Sequence, residues 1–416
     1  MAGNGGALLP LAGEGQGGGG ARRRVAVEQV RIRAVFMRGG TSNGVVFRQQ
    51  DLPADRAAWD SIFLAVMGSP DANGRQLDGM GGGISSLSKA CVVGPPTHPE
   101  ADIDFTFAQV SVREASVDYS SNCGNMSSAM GPFAVDESLV DASGDEARVV
   151  IHNTNTRKLV TATFPLDEGR AAVDGSLQIP GVAGSGAPVR LEFRDPGGAG
   201  SGKLLPTGNA LDVLDVPGFG AVEASLVDAA NACVLIEAAR VNISGAESPA
   251  ELDERVELME LLEEIRCVAG VAMGLGASTD DIRRRSPSNP KIGLVAAPLD
   301  AVDLSGQALS ARDADVTARM VSMGNTHRAL PLTGALCLGV AARITGTVVN
   351  RHARSLRDEA ARLRIQQPSG LTVVGAEVDE DDQGWHARLV SVYRTQRRLF
   401  EGSVLIPGSR YRSMAS

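Results

Sequence analysis

Lysine is scarce in this sequence, and one lysine lies in a setting that suits acid–base chemistry. The chain contains only Lys89, Lys158, Lys203 and Lys291, while arginine supplies nearly all of the other positive charge. Lys89 follows a run of glycine and serine and precedes the apolar residues 90–93. Partial burial at such a position favours the neutral amine, which can act as a base. The residues alone leave other interpretations open: an anion-binding lysine or a chance surface residue.

Cys123 is the second residue whose position suggests proton transfer. It lies between Asn122 and Gly124, where the pattern predicts the start of a helix. A helix N-terminus stabilises a thiolate, so Cys123 could donate or accept a proton beside Lys89. The alternative interpretation is a buried, inert thiol. The other cysteines lie in apolar runs and are predicted to be structural: Cys91, Cys233, Cys267 and Cys337.

Other familiar chemistries find little support in the motifs. Residues 79–83 are all glycine except Met80, but neither a P-loop nor a dinucleotide-binding glycine pattern with its acidic partner is present. These glycines are expected to let the backbone approach a substrate closely. No serine-hydrolase elbow occurs, and neither Cys-x-x-Cys pairs nor grouped histidines suggest a metal site. His327 is a candidate base or carboxylate ligand, with a structural histidine as the alternative.

Composition and charge exclude several classes of partner. The chain has 416 residues, of which 43% are hydrophobic, 21% charged and only 4% aromatic, and its formal net charge is −9. These values are typical of a globular protein of two domains. The acidic balance and the few aromatics argue against nucleic-acid binding, and no apolar stretch is long enough to cross a bilayer. An enzyme with this charge would need a local positive field to bind a polyanion.

The order of predicted elements supplies such a field. In each half, a loop rich in Gly and Asn leads into a helix of small residues: residues 123–126 begin one helix, and residues 324–327 begin another that covers about 330–342. Two helix N-termini directed at one cleft would present two positive dipole ends to an anion. Residues 1–27 are predicted to be a disordered Gly-rich tail without secretory character, and the wide spacing of an odd number of cysteines favours free thiols in a reducing cytoplasm.

Five sequence blocks, in order along the chain, resemble the PrpF family, which includes 2-methylaconitate, methylitaconate, oxalomesaconate and aconitate isomerases. The blocks cover residues 37–44 (MRGGTSNG), 78–89 (DGMGGGISSLSK), 121–126 (SNCGNM), 205–209 (LPTGN) and 322–327 (SMGNTH). The resemblance implies an α+β, diaminopimelate-epimerase-like fold with two pseudo-symmetric domains, each a barrel-like sheet around a central helix. The implied domains are residues 28–195 and 196–384, with strands in 385–416 returning to the first domain.

The resemblance also implies a site and a reaction. Lys89 matches the family's catalytic lysine and Cys123 its motif cysteine. Substrate contacts are expected from Ser42, Asn43, Ser85, Ser86, Asn122, Gly124, Asn125, Thr207, Gly208, Asn209, Gly324, Asn325 and His327. The implied activity is isomerisation of a small unsaturated polycarboxylate of the aconitate type by allylic proton transfer, without a cofactor or a metal. The partner expected is this small acid, with neither nucleic acid nor membrane, and a homodimer is left open.

Two departures and two rival functions qualify the expectation. Many members of the family carry lysine where this chain has Asn43, and the loop at 325–328 varies, so the carboxylate pattern of the substrate is open. An amino-acid epimerase would need a thiol from each domain, but the loop at 324–327 has none and Cys337 lies too far along its helix. A non-catalytic protein that assists an aconitase-like enzyme is the other rival.

Overall fold

The computed structural model describes residues 29–120, 122–354 and 362–413, and the predicted tail at 1–27 lies outside them. In the first half, nine strands and two α-helices are described: β1 (Gln29–Gly39), β2 (Ser42–Arg48), α1 (Trp59–Met67), β3 (Lys89–Gly94), β4 (Ile103–Val110), β5 (Val117–Asp118), α2 (Gly124–Asp136), β6 (Glu146–Asn153), β7 (Lys158–Asp167), β8 (Arg170–Ala171) and β9 (Val189–Arg194).

The second half and the C-terminal segment continue in the same style. Their elements are β10 (Asp212–Val216), β11 (Gly220–Ala229), β12 (Asn231–Glu237), α3 (Pro249–Asp253), α4 (Val256–Ala272), α5 (Thr279–Arg285), β13 (Lys291–Ala296), β14 (Ala301–Val302), β15 (Ala308–Leu309), β16 (Val316–Ser322), β17 (Asn325–Thr326), α6 (Leu332–Ala341), α7 (Val348–His352), β18 (Leu363–Gln367), β19 (Gly370–Asp381), β20 (Gly384–Arg394), β21 (Gln396–Pro407) and α8 (Gly408–Ser413).

Each half wraps a sheet around one buried helix. Helix α2 is buried along its length from Gly124 to Val135, and strands β1, β2, β6, β7 and β9 pack on it. Helix α6 is buried from end to end and packs against β11, β12 and β19. A helix that is apolar or small on every side has no face for solvent, so a surrounding sheet is the arrangement that buries it.

The two sheets have the same pairing order. In the first, β1 pairs antiparallel with β2, β2 parallel with β3, β3 antiparallel with β4, β4 parallel with β6, and β6 antiparallel with β7. In the second, the same sequence of pairings runs through β11, β12, β13, β16, β18 and β19. The central helix follows the fourth strand in both halves. The halves are therefore internal structural repeats.

The C-terminal strands join the first half. Strand β20 pairs antiparallel with β9, and β21 pairs antiparallel with β1 over nearly its whole length. Strand β19 connects the two sheets, since it pairs with β18 on one side and with β20 on the other. A continuous hydrophobic cluster contains residues of both α2 and α6.

One prediction about the second half is wrong. Residues 324–327 do not begin a helix: Val321 pairs with Thr326 and Ser322 with Asn325, so the segment is a tight hairpin between β16 and β17. Its two turn residues have positive φ angles, 53° at Met323 and 72° at Gly324, which a helix would not allow. Helix α6 begins later, with Pro331 at its N-cap position.

Candidate active site

A cleft of about 1130 Å³ lies between the two halves. Its walls come from the β1–β2 turn, the segment before β3, the start of α2, the β16–β17 hairpin and the start of α6. Ten of the predicted site residues line it: Ser42, Ser85, Ser86, Lys89, Asn122, Cys123, Gly124, Asn125, Asn325 and His327. A concave site of this size accommodates a small polycarboxylate together with ordered water.

Lys89 is held at the cleft by an uncharged partner. It is the first residue of β3, is only 7% exposed, and its Nζ donates to Oε1 of Gln109 at 2.6 Å. The amide of Gln109 is fixed in turn, because its Nε2 donates to the carbonyls of Ser85 and Ser88, both at 3.0 Å. Nζ also lies 5.0 Å from the ring centroid of Phe107. Neither contact carries a formal negative charge.

Two helix N-termini open onto the same space. Cys123 is the N-cap residue of α2 and Pro331 that of α6, and neither side chain caps the first-turn N–H groups of its helix. Those donors and the dipole ends of the two helices favour an anion in the cleft. The helices also meet there, since a Cβ added at Gly124 would lie 2.5 Å from the side chain of Leu332.

A second buried lysine lines the cleft from the other half. Lys291 is the first residue of β13, is 7% exposed, and its Nζ donates to the carbonyl of Ser288 at 2.9 Å. Burial lowers the pKa of Lys291; Cys233 opposes this effect and the charge of Lys89 adds to it. The two lysines therefore lie close enough for each to sense the other's charge.

His327 is a neutral group in this site. Its Nε2 lies 2.7 Å from Oγ of Ser322, and its ring lines the cleft. Burial lowers the pKa of His327 to about 3, and the charges of Lys291 and Lys89 contribute in the same direction. At physiological pH the imidazole is therefore a hydrogen-bonding group and not a cation.

A buried arginine supports the start of α2 from behind. The side chain of Asn125 donates to Oγ1 of Thr41 at 3.0 Å and accepts from Nε of Arg394 at 3.3 Å. Arg394 is 6% exposed, and burial lowers its pKa to about 10, so it stays protonated at neutral pH. Together with Arg328 at the cleft wall, these cations provide the local positive field that an acidic protein needs to bind an anion.

Five predicted site residues do not line the cleft. Asn43 follows the buried Ser42 on β2, and successive side chains of a strand point to opposite faces. Gly324 is at the tip of the β16–β17 turn. The other three, Thr207, Gly208 and Asn209, form an exposed loop before β10. There, Thr207 and Asn209 donate to the carboxylate of Asp212 at 2.7 and 2.9 Å, so their side chains stabilise their own turn.

Sequence reasoning missed Lys291 and Gln109. The scarcity that drew attention to Lys89 applies equally to Lys291, and the two share a setting: Ser86-Leu87-Ser88 precedes one lysine, and Ser286-Pro287-Ser288-Asn289-Pro290 precedes the other. An internal comparison of the two halves would have found it. Gln109 gave no such signal, because its role depends on the register that places it opposite Lys89.

Three further properties complete the chemistry of the described residues. Their cysteines are all free and buried. Over residues 29–120, 122–354 and 362–413, no three His, Cys, Asp or Glu side chains are grouped as a metal site would require. Within the same ranges, none of the helices combines the length and the apolar character needed to span a membrane.

Comparison with known proteins gives matches over nearly the whole chain. A family model described as "PrpF protein" matches residues 29–407. The 3-methylitaconate isomerase of Eubacterium barkeri is 43% identical, over 91% of this chain and 98% of that protein. The 2-methyl-aconitate isomerase of Cupriavidus necator is 37% identical, over 92% of this chain and 99% of that protein.

Solved structures agree on the architecture. A crystal structure of methylitaconate-delta-isomerase superposes with a TM-score of 0.75 at 42% identity, covering 92% of this chain and 97% of that one. A hydroxyproline epimerase from Agrobacterium vitis gives a TM-score of 0.53 at 12% identity, covering 91% and 93%. The second likeness concerns the fold alone, and it confirms the predicted epimerase-like α+β class.

Proposed function

This chain belongs to the PrpF family, and on that premise we propose that it is a cofactor-independent isomerase of small unsaturated di- and tricarboxylates. The observation that carries the proposal is the position of Lys89, a buried amine held by the neutral amide of Gln109 at 2.6 Å in a cleft that two helix N-termini face. Such an arrangement pairs a base with donors for the charge that its action creates.

The chemistry follows from the substrate class. A C–H group allylic to a conjugated carboxylate is acidic, because the electrons left by the proton spread into a dienolate. Lys89, as the neutral amine, removes this proton, and the first-turn N–H groups of α2 and α6 stabilise the developing negative charge. Return of a proton at the other end of the allyl unit shifts the double bond. Return at the original carbon after bond rotation gives cis–trans isomerisation.

Cys123 lies beside these groups at the N-terminus of α2. Its thiol either returns the second proton or helps to hold the charge of the dienolate. An uncharged thiol contributes a hydrogen bond to an oxyanion, whereas a proton donor must reach the carbon that is reprotonated.

The cleft also matches the charge of the proposed substrate. Lys89, Lys291 and Arg328 line it, together with the carboxylates of Asp253 and Asp303. The carboxylate of Asp253 already accepts from the backbone of Thr326 at 2.8 Å, and that of Asp303 caps its own turn through Ser305. The cations and helix termini are thus left to bind two or three substrate carboxylates.

The substrate names of the relatives define the first acids to test. We propose 3-methylitaconate and 2-methylaconitate as the leading candidates, with oxalomesaconate and aconitate as alternatives on the same scaffold. The competing function is a non-catalytic role as an accessory protein. Turnover by the purified protein alone would exclude that role.

Proton NMR in D₂O tests the proposal directly. The pure chain is incubated with each acid, and both a shifted double bond and deuterium at the allylic carbon are recorded. Lys89→Ala should lose activity by about 10²–10⁴-fold, the usual contribution of a general base. The matched control is Lys203→Ala, because Lys203 is exposed and does not line the cleft. Near-normal turnover by Lys89→Ala, or no turnover of any acid by the wild type, would refute the proposal.

We also propose that the enzyme works in a reducing cytoplasm, which the free and buried cysteines support. A homodimer stays a prediction, which light scattering on the purified protein tests.

A further inference from the structure

We propose that Lys291 is a second proton-transfer residue, which returns the proton to the substrate from the domain opposite Lys89. The inference rests on the proposed isomerase function. It assigns the residue that returns the second proton, which that function leaves open. It divides the two proton transfers between two lysines, one from each structural repeat.

The repeat places the two lysines at equivalent positions. Strand β3 is the third strand of its series and β13 the third of the other, and each pairs parallel with the strand before it. Lys89 is the first residue of β3, and Lys291 is the first residue of β13. Both line the cleft between the repeats, so the pseudo-symmetry brings two amines to one substrate from different domains.

Their surroundings are matched in kind. Across the next strand, Lys89 lies opposite Gln109, whose Oε1 accepts a hydrogen bond from Nζ of Lys89. In the second repeat, Ile292 pairs with Val321, which places Ser322 beside Lys291, and Ser322 is hydrogen-bonded to the neutral His327. Each amine therefore has an uncharged polar neighbour on the adjoining strand, and each is 7% exposed.

The loop that carries Lys291 is fixed to both domains. Ser288, whose carbonyl accepts from Nζ of Lys291, donates through its hydroxyl to the carboxylate of Asp118 in the first domain. The buried Arg266 donates to the carbonyls of Ser286 and Asn289, at 3.0 and 3.3 Å. These contacts hold the amine in place, as a proton-transfer group requires.

Electrostatics favours one base and one acid in such a pair. Two buried ammonium groups that sense each other repel, and desolvation penalises both charges. Two neighbouring amines titrate as a pair, so the charge of one makes the other give up its proton more readily. The allylic shift starts with the proton on Lys291, and burial, which lowers the pKa of Lys291, makes its ammonium form a stronger acid.

The steps balance without a further reactant. The lone pair of Lys89 Nζ takes the allylic proton, the C–H electrons enter the dienolate, and Lys89 becomes an ammonium ion. A new C–H bond then forms at the other end of the allyl unit with the proton of Lys291, which becomes neutral. Proton transfer from Lys89 back to Lys291 through water restores the starting state. Cys123 is then a charge-stabilising residue and not the donor.

The test separates proton removal from proton return. In D₂O, a protein that can only remove and replace the first proton places deuterium in unreacted substrate without forming product. Lys291→Met should form product about 10²-fold or more slowly than wild type while deuterium still enters the substrate. Lys89→Met should lose both signals, and the exposed Lys203→Met should match wild type. Cys123→Ala should lower product formation and deuterium entry together, because it removes charge stabilisation and not the proton donor.

Lys291→Arg addresses the possibility that the methionine variant fails to fold. The guanidinium retains the positive charge but does not release a proton near neutral pH, so product formation should fall while KM changes little. Wild-type turnover by Lys291→Met, or parallel loss of product and deuterium entry, would overturn the assignment. If Cys123→Ala still placed deuterium in the substrate but formed no product, that result would also overturn the assignment, because Cys123 would then be the proton donor. If the wild-type protein were inactive on every acid, the result would instead refute the proposed isomerase function, on which the assignment of Lys291 rests.

Discussion

Nζ of Lys89 lies 2.6 Å from Oε1 of Gln109, and Gln109 cannot reverse its amide without losing both of the hydrogen bonds that Nε2 makes to backbone carbonyls. The acceptor oxygen therefore faces the lysine. This contact orients the amine through a neutral group, whereas a carboxylate at the same place would stabilise the ammonium form.

Replacement of Gln109 tests that relationship. Gln109→Glu puts a negative charge next to Lys89 and stabilises its ammonium form, so kcat/KM should fall at neutral pH and recover as the pH rises. Gln109→Ala removes the orienting contact without adding charge, so it should lower kcat by about 10-fold or more without moving the pH profile. Profiles of kcat/KM against pH for both variants and wild type check the prediction. Identical profiles for Gln109→Glu and Gln109→Ala would contradict it.

Much of this site follows from sequence, and the reasons for the rest are physical. Lys89 and Cys123 were found because a rare residue and a helix-terminal thiol are local signals. The role of Gln109 depends on strand register over a separation of twenty residues, which alternation of apolar side chains does not determine. The helix was predicted at about 330–342 and is observed at Leu332–Ala341, but residues 324–327 were wrongly taken to begin it, because Gly and Asn serve hairpin turns as well as helix starts.

Acid should weaken the fold through His327. In the native state the pKa of His327 is about 3, against 6.5 in the unfolded chain, so the unfolded chain binds more protons between these values. The stability that the neutral His327 contributes to the fold is fully present above about pH 6.5 and is lost as the pH falls toward 3. His327→Gln should therefore reduce the loss of stability between about pH 7.5 and pH 5. Urea unfolding of wild type and His327→Gln at both pH values measures this change in the free energy of unfolding.

The matched variant for that experiment is His98→Gln, since His98 lies on the loop before β4 and does not line the cleft. It should lose as much stability on acidification as wild type does. If His327→Gln and His98→Gln behave alike, the burial of His327 is not a source of the pH dependence.

Close packing of β1 against α2 should make Gly39 intolerant of a side chain. A Cβ at Gly39 would lie 2.5 Å from the backbone oxygen of Asn125 and 3.0 Å from Cα of Met126. Backbone atoms cannot rotate away, so Gly39→Ala should destabilise the fold by about 1–3 kcal/mol and displace the helix terminus that carries Cys123. Denaturant unfolding and kcat measure the two effects.

Gly375→Ala is the control for Gly39→Ala. Its nearest neighbour, at 2.7 Å, is the hydroxyl of Ser391, a side-chain atom that can turn aside. A smaller loss of stability and unchanged kcat are expected there. Equal effects of the two variants would show that the contact with α2 has no special cost.

Removing the charge of Asp118 should move the alkaline limit of activity. Burial lowers the pKa of Lys291, and the negative charge of Asp118 raises it. The other charged or titratable groups that act on Lys291 are Cys233, Lys89 and Cys123. Asp118→Asn retains an oxygen that can accept from Ser288 but removes this charge, so Lys291 should lose its proton at a lower pH. If Lys291 acts as the acid, the alkaline limb of the kcat/KM profile moves to lower pH.

The comparison variant is Asp212→Asn. The carboxylate of Asp212 accepts hydrogen bonds from Thr207 and Asn209, away from the cleft, so its replacement should leave the alkaline limb in place. An unmoved limb in Asp118→Asn, or one moved to higher pH, would contradict the assignment of Lys291 as the group that must be protonated.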